Sequence, residues 1–268
     1  METLGMIAGN RKFPLLFAQA ARKRGVRKLV AVAFEGETEP ELSKFVDVIE
    51  WVKLGQLGEL IQRFKKHGIK EVVMVGQIAP KNLFARISLD LRMTVLLAKL
   101  RTRNAGTIFG AIGNELAKDG LVLIPHASYL EEFIPKAGPL TRSKPTPQQR
   151  QDIDFGLKVA RSIAALDIGQ TVVVKEGAVL AVEALEGTDA CLARGGELGQ
   201  GGAVAVKVTK PGQDMRFDIP VVGMTTVETA KKAGIAVLAV EAGKTLLLER
   251  EEIVREADKH NICLLAFE

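Results

Sequence analysis

The 268-residue chain carries 37 Lys and Arg against 32 Asp and Glu, a net charge of +5, and 47% of its residues are hydrophobic. This composition excludes a disordered chain and leaves room for one large domain or two of ordinary size. No apolar run reaches the ~18 residues that span a bilayer, and the amino end METLGMIAGN predicts no signal peptide. Two distant cysteines, Cys191 and Cys263, favour core thiols in a reducing cytoplasm over disulfides or metal ligands.

The excess of basic over acidic residues favours anionic partners such as phosphates, nucleic acid or an acidic membrane surface. Basic residues cluster at 21–28, 65–66 and 142–150, but only 5% of the residues are aromatic. Platforms that stack single-stranded nucleic acid need more rings than this. We interpret each cluster as a solvated helix face or a linker, and we expect no nucleic-acid partner.

The first half alternates strand-like and helix-like segments. Apolar runs predict strands at 4–8, 29–34, 46–51, 71–75 and 121–124, and helical spacing predicts helices at 15–24, 57–67, 91–101 and 108–119. This order favours a parallel sheet covered by helices, whose ligands bind at the carboxyl ends of the strands. Gly9, Asn10 and Gln77 follow two such ends. Because IAGNRKFP is not GxGxxG, a nicotinamide-cofactor enzyme is disfavoured.

The run PKAGPLTRSKPTP has four prolines in thirteen residues and predicts a linker at 135–147, between domains at 1–134 and 148–268. In the second half we predict helices at 148–165, 227–233 and 250–260, and strands at 172–174, 178–182, 203–209, 217–222, 235–240, 245–248 and 262–266. The glycine-rich stretch 194–202, RGGELGQGG, is interpreted as a flexible loop. The second half is therefore predicted to be a mixed α+β domain.

The stretch LDIGQTVVVKEGAVLAVEALEGTD, residues 166–189, predicts a hairpin with a charged turn, followed by an acidic helix start. There Glu183, Glu186 and Asp189 lie close to Thr188, which suits a metal-bound phosphate. Alternatively, the acids simply favour the helix dipole and Thr188 caps the helix.

Other kinds of catalytic chemistry find little support in the sequence. The three histidines form no HExxH pattern and look structural or solvated, and there is no GxSxG motif. Carboxylates remain, and they are dense in the second half. Candidate phosphate partners there are Lys175, Lys207, Lys210 and Arg216, of which arginine is suited to bidentate contact. On its own, Asp218 before Ile-Pro is typical of a turn or a strand-end cap.

Together with PQQRQDID, KPGQDMRFDIPVVGMTTV and the amino-terminal LGMIAG, the 166–189 stretch resembles the LpxI family of UDP-2,3-diacylglucosamine pyrophosphatases over essentially the whole chain. The resemblance implies an α/β protein with an N-terminal Rossmann-like parallel-sheet domain and a mixed α+β C-terminal catalytic domain. It implies hydrolysis to UMP and 2,3-diacylglucosamine 1-phosphate in lipid A biosynthesis, with Mg²⁺ or, alternatively, Mn²⁺ as the cation and with water attacking the sugar-side phosphorus. It also implies a cytoplasmic enzyme, peripheral on the inner membrane.

The resemblance further implies roles for individual residues. The RxDxPxxG motif of the family, here RFDIPVVG, places the catalytic aspartate at Asp218, which either binds metal or orients water. The expected metal ligands are Asp218, Asp189 and Glu186, the last two from EGTD. The expected substrate-binding residues are Gly9, Asn10, Gln77, Gln170, Lys175, Thr188 and Arg216. The amino-terminal loop departs from the family, since Asn10-Arg11-Lys12 follow Gly9 where relatives often have further glycines.

Two other functions remain open from the sequence. One is a binding protein for a nucleotide sugar or sugar phosphate that regulates without catalysis, and the other is a transferase that uses the same UDP-lipid. A homo-oligomer is also possible.

Overall fold

The structure is a computed structural model that describes residues 3–78, 88–102 and 104–268. The chain divides into two compact units. The first contains Met1–Glu131 and also Asp214–Asp218, and the second contains Glu132–Gln213 and Ile219–Glu268. The short segment Asp214–Asp218 therefore belongs to the first unit although it lies far along the sequence. The predicted domain boundaries stay a prediction.

The first unit alternates strands and helices, as the sequence pattern predicts. Its described strands are β1 (Thr3–Ala8), β2 (Lys28–Phe34), β3 (Val48–Val52), β4 (Glu71–Val75) and β5 (Val122–Leu123), and its described helices are α1 (Phe13–Lys23), α2 (Leu57–Lys66), α3 (Leu91–Lys99) and α4 (Ala105–Lys118). The described strands form a parallel sheet of order β3-β2-β1-β4-β5. The order reverses between β1 and β4, and in such sheets the reversal point is where ligands bind.

The second unit is mixed, as predicted. Its described strands are β6 (Gly138–Pro139), β7 (Thr171–Lys175), β8 (Ala178–Val182), β9 (Ala203–Lys207), β10 (Val221–Val222), β11 (Ile235–Glu241), β12 (Leu246–Leu247) and β13 (Cys263–Phe267), and its described helices are α5 (Pro147–Ala165), α6 (Thr188–Gly199), α7 (Met224–Lys232) and α8 (Arg250–Lys259). The main sheet has the order β6-β13-β11-β9-β7-β8. The pairs β9–β11 and β11–β13 are parallel, whereas β6–β13, β7–β8 and β7–β9 are antiparallel.

Both faces of this second sheet are buried. Along β7, Val173 packs into one apolar cluster with residues of α6, α7 and α8, whereas Val172 and Val174 pack into another with residues of α5. Successive side chains of a strand point to opposite faces, so the continuous Val-rich run of β7 fits a strand covered on both sides.

The predicted hairpin of β7 and β8 is confirmed. Its turn residues Glu176 and Gly177 both have positive φ, 49° and 75°, as a tight hairpin turn requires. The carboxylate of Asp152, which is 2% exposed, accepts hydrogen bonds from both turn N–H groups, at 3.0 and 2.8 Å. Asp152 is therefore a structural carboxylate.

The prediction of a flexible loop at 194–202 is wrong, because α6 continues to Gly199. The glycines serve close packing. A Cβ added to Gly195 would lie 2.5 Å from the Cβ of Val173, and one added to Gly196 would lie 2.1 Å from the carbonyl oxygen of Ala233. Only glycine permits this approach of helix to strand and helix to helix.

The predicted strand at 217–222 is also wrong in its first half. The N–H groups of Phe217 and Asp218 donate to the carbonyl oxygen of Asp214, at 3.1 and 2.9 Å, which makes a turn. The extended part is only Val221–Val222, paired with β12. Because Pro220 has no N–H to donate, it stands before the strand and not within the ladder.

The stretch predicted as a linker contains β6, which pairs antiparallel with β13 in the second sheet. Thr146 then caps α5 in a capping box with Gln149. No helix in the described ranges is long and apolar enough to cross a membrane.

Candidate functional site

Polar side chains gather at one end of the main sheet of the second unit. The register pairs Thr171 at the start of β7 with Lys207 at the end of β9, and pairs Lys207 with Val240 near the end of β11. Glu183 follows β8 at the same end, because its N–H donates to the carbonyl oxygen of Thr171 at 2.8 Å. The parallel strands β9 and β11 thus present their carboxyl ends here, where sheets of this kind bind ligands.

A chain of hydrogen bonds runs through this end of the sheet. The ammonium of Lys207 donates to the hydroxyl of Thr188 at 2.7 Å, and that hydroxyl donates to the carboxylate of Glu183 at 3.0 Å. Lys207 is 3% exposed and Glu183 is 7% exposed. Burying an ammonium and a carboxylate is costly unless both are paired. These hydrogen bonds therefore hold Thr188, the first residue of α6, in place.

The amino end of α6 offers further donors. Gly187, which precedes the helix with φ 85°, has no side chain with which to cap it. The first intrahelical bond runs from the N–H of Cys191 to the carbonyl oxygen of Gly187. N–H groups in a first helical turn lack intrahelical acceptors and carry the positive end of the helix dipole, which favours an anion.

Two buried side-chain oxygens at this end have no hydrogen-bond partner among the described residues: Oε1 of Gln170 and Oε2 of Glu183. Buried polar atoms are nearly always satisfied, so each calls for water or a ligand donor. Gln170 and Thr188, both predicted substrate contacts, lie at this polar end of the sheet.

The two acids of the EGTD motif are engaged by neighbours. The carboxylate of Glu186 accepts from the guanidinium of Arg194 at 2.7 Å and from the N–H of Ala184 at 3.1 Å. Its pKa is lowered, first by a hydrogen bond from its own N–H and further by Arg194. Asp189 accepts from the hydroxyl of Thr226 at 2.9 Å.

Lys175, another predicted substrate contact, lies at the other end of β7. Its ammonium donates to the carbonyl oxygen of Gly199 at 2.8 Å, at the carboxyl end of α6. A cation there complements the helix dipole. The structure does not bring Lys175 together with Gln170 and Thr188.

In the first unit, the loops after β1 and β4 meet at the reversal point of the sheet. Asn10 and Gln77 form an isolated antiparallel bridge, in which the N–H of Asn10 donates to the carbonyl oxygen of Gln77 at 2.7 Å. A Cβ on Gly9 would lie 2.5 Å from that oxygen, so only glycine fits. The amide of Asn10 donates to the carboxylate of Glu37 at 2.7 Å, and its Oδ1 has no partner in the described part of the chain. The three predicted contacts therefore do lie together.

The segment Asp214–Asp218 is anchored within the first unit by two contacts. The ring of Phe217 packs against that of Phe109 with centroids 5.9 Å apart, and the main-chain oxygen of Arg216 lies 3.1 Å from Nδ1 of His126. The Arg216 guanidinium forms a fork with the carboxylate of Asp214, at 2.6 to 3.1 Å, which raises the pKa of Arg216 and lowers that of Asp214. Asp218, the predicted catalytic residue, is half-buried at the end of this segment.

Beside these loops, the first unit contains a cavity of about 130 Å³. Its floor includes Ile7, Phe34 and Met74 at the ends of β1, β2 and β4. Gly9, Gln77 and Phe217 also line it, so the cavity adjoins the loops predicted to bind substrate.

Within the described ranges, no three Asp, Glu, His or Cys side chains form a group that could hold a metal ion. Mg²⁺ typically binds through one or two carboxylates, waters and substrate phosphates, and the three predicted ligands Asp218, Asp189 and Glu186 stay a prediction. Asp218 fits such a role as a hard oxygen donor, whereas the bonds of Glu186 to Arg194 and Ala184 fit it poorly.

Three residues stand out in the structure that the sequence did not single out. In the sequence, Lys207 is one of four basic candidates, Glu183 is one of several acids, and the pattern around His126 predicts a structural or solvated residue. The signal for Lys207 and Glu183 was their position at the ends of apolar strands, where a charged residue is seldom buried without a purpose. No sequence signal joined His126 to Arg216, ninety residues away.

Comparison with known proteins covers nearly the whole chain. The family model of the LpxI N-terminal domain matches residues 3–133, and that of the LpxI C-terminal domain matches residues 136–265. The protein called UDP-2,3-diacylglucosamine pyrophosphatase LpxI of Caulobacter vibrioides is 32% identical over 276 residues, 99% of this chain and 97% of that protein.

Solved structures add little. The biotin carboxylase domain of the Hydrogenobacter thermophilus 2-oxoglutarate carboxylase matches 65% of this chain and 35% of its own, at 11% identity and a TM-score of 0.29. A protein named gox2253 matches 100% of this chain and 89% of its own, at 11% identity and a TM-score of 0.31. Likenesses at this level carry no argument about fold or function.

Proposed function

Because the chain belongs to the LpxI family, we propose that it hydrolyses the diphosphate of UDP-2,3-diacylglucosamine to UMP and 2,3-diacylglucosamine 1-phosphate, a step of lipid A biosynthesis. The observation that carries the proposal is the identity to the Caulobacter pyrophosphatase over nearly the full length of both chains.

In the proposed reaction, the oxygen of water bonds to the sugar-side phosphorus. The bond from that phosphorus to the bridging oxygen breaks, and the bridging oxygen leaves with UMP. Asp218 is the catalytic residue, and its carboxylate either orients the water and receives its proton or binds the metal. The turn that begins at Asp214 sets the position of Asp218, since the Asp218 N–H donates to the Asp214 carbonyl oxygen.

We propose Mg²⁺, with Mn²⁺ as a substitute, as the cofactor. Asp218 would hold it, and Asp189 stays a predicted second ligand. When bound, the cation supplies positive charge that neutralises the phosphate oxygens. The chain itself contributes the amino end of α6, positioned by Lys207 and Thr188, as an anion-binding element for the diphosphate.

The substrate of the proposed reaction carries two acyl chains, so we propose that the enzyme works in the cytoplasm at the surface of the inner membrane. Exposed apolar side chains support this: Leu166 is 72% exposed, Ile168 46% and Leu185 71%. They lie on two segments that meet where Gly169 contacts Glu183.

In vesicle flotation with phosphatidylglycerol, a variant with both Leu166→Glu and Leu185→Glu should bind less than wild type. The control is Leu198→Glu, also at an exposed leucine. Equal flotation of all three would refute this membrane contact.

The reaction itself is tested with purified protein, UDP-2,3-diacylglucosamine, Mg²⁺ and isotopically labelled water, without any acceptor. We expect UMP release, with the label in the lipid phosphate and none in UMP. Release that depends on an added acceptor would indicate a transferase, and tight binding without turnover would indicate a regulator. Label in UMP would show that water attacks the other phosphorus.

A further inference from the structure

The guanidinium of Arg216 is held along one of its edges. Its Nε donates to both carboxylate oxygens of Asp214, at 2.9 and 3.1 Å, and its Nη2 donates to Oδ2 of the same residue at 2.6 Å. An arginine side chain presents its N–H donors in a rigid plane, so one edge can be engaged while another stays open. The terminal edge, formed by Nη1 and the second hydrogen of Nη2, has no acceptor among the described residues.

The backbone that carries this side chain is fixed separately. The main-chain oxygen of Arg216 lies 3.1 Å from Nδ1 of His126, and the next residue, Phe217, packs its ring on that of Phe109. The N–H of Arg216 donates to Oδ1 of Asp214 at 3.1 Å. A long side chain on a fixed backbone still has rotamer freedom, which ligand binding has to remove at a cost in affinity. The fork with Asp214 removes that freedom before any ligand arrives.

The ion pair does more for orientation than for stability. The side chains of Arg216 and Asp214 are 37% and 31% exposed, so water screens the attraction between them and limits its contribution to folding. What a bidentate pair adds is a defined geometry, because two parallel hydrogen bonds fix the plane of the guanidinium. The pair therefore sets the direction in which the terminal edge of Arg216 points.

This turn lies where a ligand of the first unit is expected. Phe217 lines the same cavity as Gly9 and Gln77, which follow β1 and β4. The turn is therefore close to the carboxyl ends of parallel strands, where sheets of this kind bind ligands. Asp218, the proposed catalytic residue, is two positions from Arg216. The terminal edge of an arginine offers two parallel N–H groups, an arrangement that matches two oxygens of a phosphate.

We propose that Asp214 is a positioning residue, which holds Arg216 so that the terminal edge of its guanidinium receives two oxygens of the substrate diphosphate. The inference rests on the proposed function, because that function supplies the anion. A carboxylate beside Arg216 also repels a diphosphate, and this repulsion weakens binding. Positioning and repulsion change kcat/KM in opposite directions, and positioning is the larger effect in this proposal.

The first test is kcat/KM of Asp214→Asn for UDP-2,3-diacylglucosamine. Asparagine keeps Oδ1, which can still accept from the N–H of Arg216, but its NH₂ group cannot accept from the guanidinium. kcat/KM should fall by about tenfold, a part of the 10- to 100-fold that Arg216→Ala should cost by removing the charged contact altogether. Asp214→Ser, whose hydroxyl can accept from the same N–H, is a second variant with the same expectation. A wild-type or higher kcat/KM in both Asp214 variants would overturn the inference.

The matched control is Glu252→Gln in α8. It removes the carboxylate of another arginine pair, in which Arg255 donates to Glu252 at 3.2 Å, and it should keep the wild-type kcat/KM. Melting temperatures show whether each variant folds.

A double-mutant cycle separates positioning from a merely structural role. In the Arg216→Ala background, Asp214→Asn should cause no further loss, because Asp214 acts through the guanidinium. The same tenfold loss in both backgrounds would overturn the inference. Added ethylguanidinium should restore part of kcat/KM to Arg216→Ala but not to the double variant, and equal rescue of both proteins would contradict the role of Asp214. Absence of turnover by wild type would instead refute the proposed function.

Discussion

The Nδ1 atom of His126 lies 3.1 Å from the main-chain oxygen of Arg216. A carbonyl oxygen can only accept, so Nδ1 carries the proton and donates. His126 is 1% exposed, and burial lowers its pKa to about 4, which keeps the ring neutral at physiological pH. This bond and the packing of Phe217 on Phe109 hold the segment that ends in Asp218.

We expect His126 to be a positioning residue for Asp218. In His126→Phe the ring remains but the donor is lost, and kcat should fall by about 10- to 100-fold, since small misplacements of catalytic groups cost this much. In His126→Asn the side-chain amide can donate from nearly the same position, so much of kcat should return. Melting temperatures show whether both variants fold. Equal kcat for the two variants would contradict the positioning role.

The same histidine should make stability depend on pH. The pKa of His126 is about 4 in the folded protein, against an ordinary value of 6.5 that applies to the unfolded chain. Between pH 6.5 and pH 4 the unfolded chain therefore takes up a proton that the folded protein does not. Stability due to His126 is therefore complete above pH 6.5 and is lost as pH falls, by about 3 kcal/mol at pH 4. Urea unfolding of wild type and His126→Asn at several pH values measures this. The free energies of the two proteins should converge toward low pH, and a constant difference would refute the protonation argument.

Two helical glycines, Gly196 in α6 and Gly110 in α4, should respond to alanine substitution with opposite changes in stability. Gly196→Ala should lower the free energy of unfolding by about 1–3 kcal/mol, because the new methyl group meets the carbonyl oxygen of Ala233. Gly110→Ala in α4, where a Cβ would meet no described residue within 4 Å, should raise the free energy of unfolding by about 0.5–1 kcal/mol. Chemical denaturation of both variants provides the comparison. A stabilised Gly196→Ala would show that α6 does not pack as described.

These glycines also show why part of the fold was predictable and part was not. The parallel sheet of the first unit could be predicted because apolar runs and helical spacing are local properties of the sequence. RGGELGQGG looks like a loop because the contacts that make it a helix, with Val173 and Ala233, are distant in sequence. The turn at Asp214 could not be predicted for the same reason. Tertiary contacts of Phe217 and Arg216 override the strand pattern of FDIPVV.

Lys207 should support substrate binding by holding Thr188 at the start of α6. Lys207→Met keeps much of the buried volume but removes the ammonium, and kcat/KM should fall by about 10- to 100-fold, as expected for loss of a charged hydrogen bond. Lys231→Met, which removes a surface ammonium bonded to Glu256, is the control and should keep the wild-type value. Wild-type kcat/KM in a folded Lys207→Met protein would rule this role out.

The candidate site follows the same division between local and distant information. Gln170, Thr188 and Asp218 could be predicted from the sequence because they lie in the motifs that carry the resemblance to the family. The buried bond from Lys207 to Thr188 depends on the pairing of β7 with β9, which no sequence pattern assigned. The apolar cavity depends likewise on helices α3 and α4 meeting the ends of β1 and β4.

UMP release from UDP-2,3-diacylglucosamine by Asp218→Asn tests the proposed catalytic role of Asp218 most directly. The substitution preserves size and removes the charge, so turnover should fall by about 100-fold or more, the usual contribution of a group that moves a proton in catalysis. Asp167→Asn, at an acid half-exposed beside Lys210, should release UMP at the wild-type rate. UMP release by a folded Asp218→Asn protein at close to the wild-type rate would contradict the catalytic role of Asp218.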